Sequence, residues 1–134
     1  MLGAKQLYQN MVKVSQRYEK LKGLFDQFCN LAQSQLTSQQ CPVKGILFHP
    51  DLQDNQFGVT FAGVSVVFSF SLSQDSQGTV TCIKGAETQV GSFSFSGQGD
   101  TNLKTVEEGD VLGIDTEASA GYLVMHFVSE ALQK

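Results

Sequence analysis

The most constraining feature of this sequence is a heptad of apolar side chains that runs without interruption from residue 4 to residue 32. Its spacing alternates between three and four residues, and its members are Ala4, Leu7, Met11, Val14, Tyr18, Leu21, Phe25, Phe28 and Ala32. An average interval of 3.5 residues keeps one apolar seam on one side of an α-helix. The sequence therefore predicts a long helix that packs lengthwise against another helix or a flat surface.

The predicted helix extends from residue 3 to residue 36. No proline interrupts this segment, and good helix formers occupy its outer positions. Gly23 is the weak point, because glycine in a helix interior costs roughly 1 kcal/mol relative to alanine. Gly23 therefore marks either a close approach by another backbone or a break in the helix.

Beyond Gly45 the apolar period changes from helical to two, which is typical of strands with one buried face. Large side chains occupy odd positions up to Phe61 and even positions from Val64 onward. A two-residue hairpin loop at Ala62-Gly63 explains this change of phase, because it returns every large side chain to one face. A bulge at Gly63 within one long strand is the alternative explanation.

The remaining segments predict more strands and a second helix. Residues 122–128 would be apolar on both faces as a strand, whereas 117–133 as a helix gathers its apolar residues on one side. We therefore favour a C-terminal helix. Further strands are predicted over 46–48, 79–84, 89–96, 103–106 and 111–114, giving an antiparallel sheet of about six strands between residues 45 and 115.

These elements predict one α+β domain over residues 1–134, with a long N-terminal helix, an antiparallel sheet containing the Ala62-Gly63 hairpin, and a C-terminal helix. A chain of 134 residues that is 41% hydrophobic suits a single core. Both helices are expected to cover one face of the sheet, since an antiparallel sheet commonly leaves its other face open.

Composition excludes several classes of partner. The net charge is −4 and the nine basic residues are scattered, which argues against a nucleic-acid surface. The sequence contains neither an apolar leader nor a run of eighteen apolar residues, so we expect a cytoplasmic protein without a membrane contact. Its three cysteines form no CxxC pair and are interpreted as free thiols, with no metal site and no cofactor.

The length of the first helix implies a partner. A helix over 3–36 spans about 50 Å, whereas strands of six to eight residues reach only about 20–27 Å. Either the helix breaks near Gly23 and folds back, or it packs against the same helix of a second chain; we favour the second chain. The residues assigned to this dimer seam are Leu7, Met11, Val14, Tyr18, Leu21, Phe25 and Phe28.

The leading functional hypothesis is therefore a non-enzymatic homodimer that holds a protein or peptide partner. The first helix would assemble the dimer, and the sheet or a groove beside it would hold the partner segment. A second hypothesis is a small protein that binds an apolar ligand on a curved sheet. The side chains expected to line such a pocket are Phe57, Phe61, Phe68, Phe70, Phe93 and Phe95.

The two histidines supply a third hypothesis, a small enzyme. Acidic neighbours in sequence would orient each imidazole as a base: Asp51 and Asp54 for His49, and Asp115 and Glu117 for His126. Neither a Gly-x-Ser-x-Gly turn nor an HxH or HExxH spacing accompanies them. The sequence consequently assigns no catalytic, cofactor-binding or metal-ligating residue and favours a protein without enzymatic activity.

Overall fold

The computed structural model describes residues 3–104 and 109–134. Its described part has a long helix, a seven-stranded antiparallel sheet and a second helix, which confirms the α+β class and raises the strand count above the expected six. The elements are α1 (Ala4–Leu36), β1 (Leu47–Asp51), β2 (Gln56–Phe61), β3 (Val64–Leu72), β4 (Gly78–Lys84), β5 (Thr88–Phe95), β6 (Asp100–Lys104), β7 (Val111–Gly113) and α2 (Glu117–Leu132). The predicted strand 103–106 falls partly outside the described residues.

The strands form a simple meander, since each one pairs with the next along the chain in the order β1 to β7. The predicted hairpin between β2 and β3 is confirmed, with Phe61 opposite Val64 and Phe57 opposite Phe68. Ala62 and Gly63 both have positive φ, 53° and 79°, as a primed two-residue turn requires. The alternative of a bulge at Gly63 is wrong, because this turn reverses the chain.

One face of the sheet carries the aromatic core. The Phe28 ring from α1 contacts Phe57 and Phe93 with centroid distances of 5.6 and 6.0 Å, both edge-on. From α2, Phe127 contacts Phe93 at 5.7 Å and Phe68 at 6.1 Å. Large rings on alternate strand positions therefore meet large rings from both helices, and this interlocking determines where the helices lie.

The C-terminal segment is helical, as its period predicts, and α2 packs against the second half of α1. Gly121 makes this approach possible, because a Cβ atom at that position would lie 2.7 Å from Cγ of Gln35. The two helices thus form a single layer on the aromatic face of the sheet.

The first helix does not break at Gly23. α1 is continuous from Ala4 to Leu36, and apart from the adjoining residues and backbone of its own helix no described atom lies within 4 Å of the position that a Cβ on Gly23 would occupy. The less favoured alternative of a break near Gly23 is therefore wrong, and no close backbone approach within the described part of the chain explains this glycine. Gly23 lies on the exposed side of α1, where the favourable packing of the opposite side outweighs its helix propensity.

The hairpin loop provides a test of the sheet register. Ala62 adopts a left-handed conformation that strains an L-residue, so Ala62→Asn, which gives the preferred Asn-Gly pair, should raise the free energy of unfolding by about 0.5–1 kcal/mol. Urea denaturation followed by circular dichroism measures the change. Ala86→Asn, in the exposed turn after β4, is the matched control; an equal gain there would contradict the assignment.

Candidate interaction site

The first half of α1 projects beyond the sheet. Residues 4–17, called the arm below, include four large apolar side chains that are exposed: Leu7 (47%), Tyr8 (73%), Met11 (67%) and Val14 (51%). The buried residues of α1 begin only at Leu21. The arm therefore carries an apolar stripe, Ala4, Leu7, Met11 and Val14, that its own domain leaves uncovered.

A cluster of polar contacts marks the point where α1 leaves the body of the domain. The Arg17 guanidinium donates to the backbone oxygen of Ser76 in the turn after β3, at 3.1 Å. The Asn55 amide donates to the Tyr18 hydroxyl at 2.7 Å, and the Tyr18 ring lies 5.7 Å from Phe70. These bonds tie the helix to the end of the sheet and leave the arm unsupported.

The seven residues of the predicted dimer seam therefore fall into a buried group and an exposed group, with Tyr18 between them. Leu21, Phe25 and Phe28 have no exposed surface and pack inside their own domain, so they are unavailable to a second chain. Tyr18 lies at the boundary and is half-buried. Only Leu7 and the stripe residues beside it remain open. One uninterrupted heptad thus contains a part that packs in the core and a part that is exposed on the arm. The boundary between the two parts lies at the end of the sheet.

The six phenylalanines assigned to a ligand pocket are also divided. Five of them, Phe57, Phe68, Phe70, Phe93 and Phe95, are buried in the packed core. Phe61 is half-buried and lines a different cavity of about 280 Å³ at the far end of α1, called the groove below. The lining residues of the groove are Leu36, Val43, Ile46, Phe61, Val124, Met125, Val128, Ser129 and Leu132.

Sequence reasoning missed the groove because its walls come from four separated segments. Leu36 ends α1, Val43 and Ile46 belong to the linker before β1, and Phe61 ends β2. The remaining wall comes from α2, whose Met125 and Leu132 are large, apolar and exposed. The one signal in the sequence was that the apolar side chains of α2 extend beyond one face of the helix. This signal did not indicate which surface would lie opposite them.

The histidines occupy surface positions. His49 Nε2 lies 3.2 Å from the Thr60 hydroxyl, whereas Asp51, its proposed partner, accepts a bond from Gln56 at 3.5 Å. His126 is exposed on α2, and its ring lies edge-on to Phe127 at 5.0 Å. Within residues 3–104 and 109–134, no group of three or more His, Cys, Asp or Glu side chains is placed to hold a metal ion.

The three cysteines are free and buried. Burial raises the pKa of the Cys29 thiol to about 11, with a further contribution from the Asp26 carboxylate. Burial likewise raises the pKa of Cys82 to about 12, against the opposing charge of Lys134. Both thiols therefore stay protonated near neutral pH and act as small apolar side chains.

The chain matches no protein-family model, no curated protein and no solved structure. No helix in the described part of the chain combines the length and apolarity needed to span a bilayer. The arm, the groove and the groups around them are therefore the candidate functional surfaces.

The thiols provide a second test. Because a raised pKa lowers the thiolate fraction at pH 8, Cys29 and Cys82 of the native protein should react with a disulfide reagent at least tenfold more slowly than in urea. Absorbance of the released thiolate measures the rates, and a Cys41→Ala variant isolates the two thiols. Rapid release of two equivalents from the native variant would contradict their burial.

Proposed function

We propose that this protein is a non-enzymatic, homodimeric binding or adaptor protein that assembles through the arm and holds a protein or peptide partner. The observation that carries the proposal is the uncovered stripe of the arm. Free buried thiols agree with a cytoplasmic location, where cysteines remain reduced.

The N-terminus of the arm lacks the capping interactions that stabilise an isolated helix, and the Gln6 amide, which donates to the Asn10 side chain at 3.1 Å, adds only a weak i,i+4 contact. Gly3 at its N-cap makes no side-chain capping bond, and its first turn contains no acidic side chain. Isolated helices of fewer than about 12–15 residues are marginal in water. A helix of this length that exposes Leu7, Met11 and Val14 together is best explained by a second surface that covers it.

The electrostatics of the arm favour another copy of the same chain as that surface. The positions that flank the stripe are uncharged along most of its length: Tyr8 and Ser15 on one side, Gly3 and Asn10 on the other. Two such stripes bring no like charges together. The exception, Arg17, lies at the base of the arm and is already bonded to Ser76.

A binding role accounts for the chemistry of the surface better than catalysis does. His49 and His126 lie on separate elements, and the His49 ring is paired with a hydroxyl rather than a carboxylate. The groove is lined by apolar side chains with Ser129 as the polar exception. Such a surface suits an apolar segment of a partner protein, which would bury its side chains there.

The arm and the groove lie far apart on the same helix. Val14 and Leu36 are separated by twenty-two residues of α1, which corresponds to about 33 Å. Dimer formation through the arm would therefore leave the groove open for the partner. This separation is what allows one small domain to serve as an adaptor.

Charged substitutions on the stripe test whether the arm forms the dimer interface. Leu7→Lys combined with Met11→Lys should convert the dimer to a monomer, because four buried ammonium groups would face one another. At a concentration low enough for the wild-type chain to be monomeric, the free energy of unfolding should differ by less than about 1 kcal/mol between variant and wild type, since both side chains are exposed in the single chain. Light scattering over a concentration series measures the mass, and urea denaturation measures the stability.

Gln9→Lys combined with Gln16→Lys is the matched control, because it adds the same charge on the outer side of the arm. This variant should remain dimeric. A wild-type chain that stays monomeric up to the highest concentration measured would overturn the proposal.

The groove supports a second candidate function, the binding of a small apolar molecule. Its volume of about 280 Å³ and its almost wholly apolar lining are the favouring observations. The ligand would lie between α2 and the end of β2, in a different place from the pocket expected on the sheet.

An apolar dye tests the groove. Met125→Lys combined with Leu132→Lys should reduce the fluorescence of bound Nile red, an uncharged dye, several-fold, since it places ammonium groups at the rim of the cavity. Ala118→Lys combined with Gln133→Lys, exposed positions outside the lining, is the control of equal charge. Equal dye binding by both variants would remove the small-ligand function.

A further inference from the structure

We propose that two arms pair in antiparallel orientation, with Leu7 against Met11 of the partner subunit and Ala4 against Val14 of the partner subunit. The result is an elongated dimer with one groove at each end. The inference rests on the proposed homodimer and adds its geometry.

The position of the sheet excludes the parallel orientation. Leu7, Met11 and Val14 belong to the same heptad seam as Leu21 and Phe25, so the stripe faces the side of α1 on which the sheet lies. In a parallel pair the second α1 would have to run through the space that this sheet occupies. In an antiparallel pair the two sheets lie at opposite ends, and only the arms overlap.

The register follows from which residues the domain already covers. In an antiparallel pair each a position faces a d position of the other helix, so successive registers differ by seven residues. One register would place Ala4 against Leu21 of the partner subunit, which has no exposed surface. The register shifted by seven residues in the opposite direction pairs Ala4 with Leu7 of the partner subunit and leaves Met11 and Val14 uncovered. Only the intermediate register pairs all four stripe residues and needs no buried residue.

A second helix packed beneath the arm would lie at about the same depth as the sheet beneath the rest of α1. Packed helices lie about 8–10 Å apart, and packed layers in a domain have a similar separation of about 10 Å. The arm of the partner subunit would therefore continue the layer of the sheet, with its N-terminus directed at the turn after β3. Asp75 in that turn provides a carboxylate, which is favourable near a helix N-terminus.

The consequence for function is bivalence. The symmetry axis would lie near Gln9, so each groove is about 40 Å from the axis and the two are about 80 Å apart along the helices. Two grooves at that distance cannot close on one small partner. The dimer would instead link two partner molecules, or two segments of one extended molecule.

Site-directed crosslinking tests the orientation. Chains carrying Ala4→Cys and chains carrying Val14→Cys are mixed at a concentration where light scattering shows the dimer, then oxidised with glutathione disulfide. The antiparallel register places residue 4 beside residue 14, whereas two copies of either residue lie about 15 Å apart. A size tag on one chain identifies the mixed product, and the wild-type chain controls for the buried native thiols.

We expect the mixed disulfide to form at least tenfold faster than either disulfide between identical variants. Faster crosslinking of identical variants would overturn the antiparallel orientation and leave the homodimer intact. A dimer in which no pair crosslinks would place the interface outside the arm and would overturn both the register and the role of the stripe. A wild-type chain that scatters as a monomer would instead refute the proposed homodimer itself.

Discussion

The packing of α1 on the aromatic face of the sheet is the interaction on which the rest of the structure depends. Phe25 and Phe28 lie among the rings of β2, β3 and β5, at centroid distances between 5.5 and 6.5 Å. Burial of such rings contributes several kcal/mol each. This contact places the second half of α1, creates the surface on which α2 packs, and closes the space that a ligand on the sheet would have needed. The surfaces left for function are therefore the ones that this contact does not reach.

The difference in length between α1 and the sheet produces the candidate interaction site. A meander of short strands covers one half of a 33-residue helix. At the end of the sheet the Arg17 and Tyr18 contacts hold the helix in place, and beyond them the same heptad continues along side chains that the described part of the domain leaves exposed. The stripe of the arm thus continues the core-facing side of α1 beyond the end of the sheet. A partner that covers the stripe would extend the layer that the sheet forms. The same geometry separates the arm from the groove, so the proposed assembly and the proposed binding would use opposite ends of one helix.

Much of the fold could be predicted because its signals are local. The change of phase around Ala62-Gly63 predicted the hairpin and its register, since a two-residue turn permits one pairing that keeps the large side chains together. The period of 117–133 predicted α2 for the same kind of reason. The site was harder to predict. The heptad could not show that Leu21 and Phe28 pack in the core while Leu7 and Met11 remain exposed. An apolar seam indicates that its side chains pack against some surface, but it does not indicate which surface. The groove was even harder to predict from the sequence.

The sequence by itself determined the class of the fold, the continuity of the apolar seam and the one-sided distribution of the phenylalanines. These depend on periodicity, and periodicity is fixed by backbone geometry over a few residues. Only the tertiary structure decided where the sheet ends along α1, that Gly23 stays helical, that Phe61 lines the groove at the edge of the core, and that both histidines lie on the surface. Each of these depends on contacts between distant segments, whose free energy outweighs local preference. The length of the first helix predicted a second covering surface, and the fold decided which half of the helix its own sheet covers.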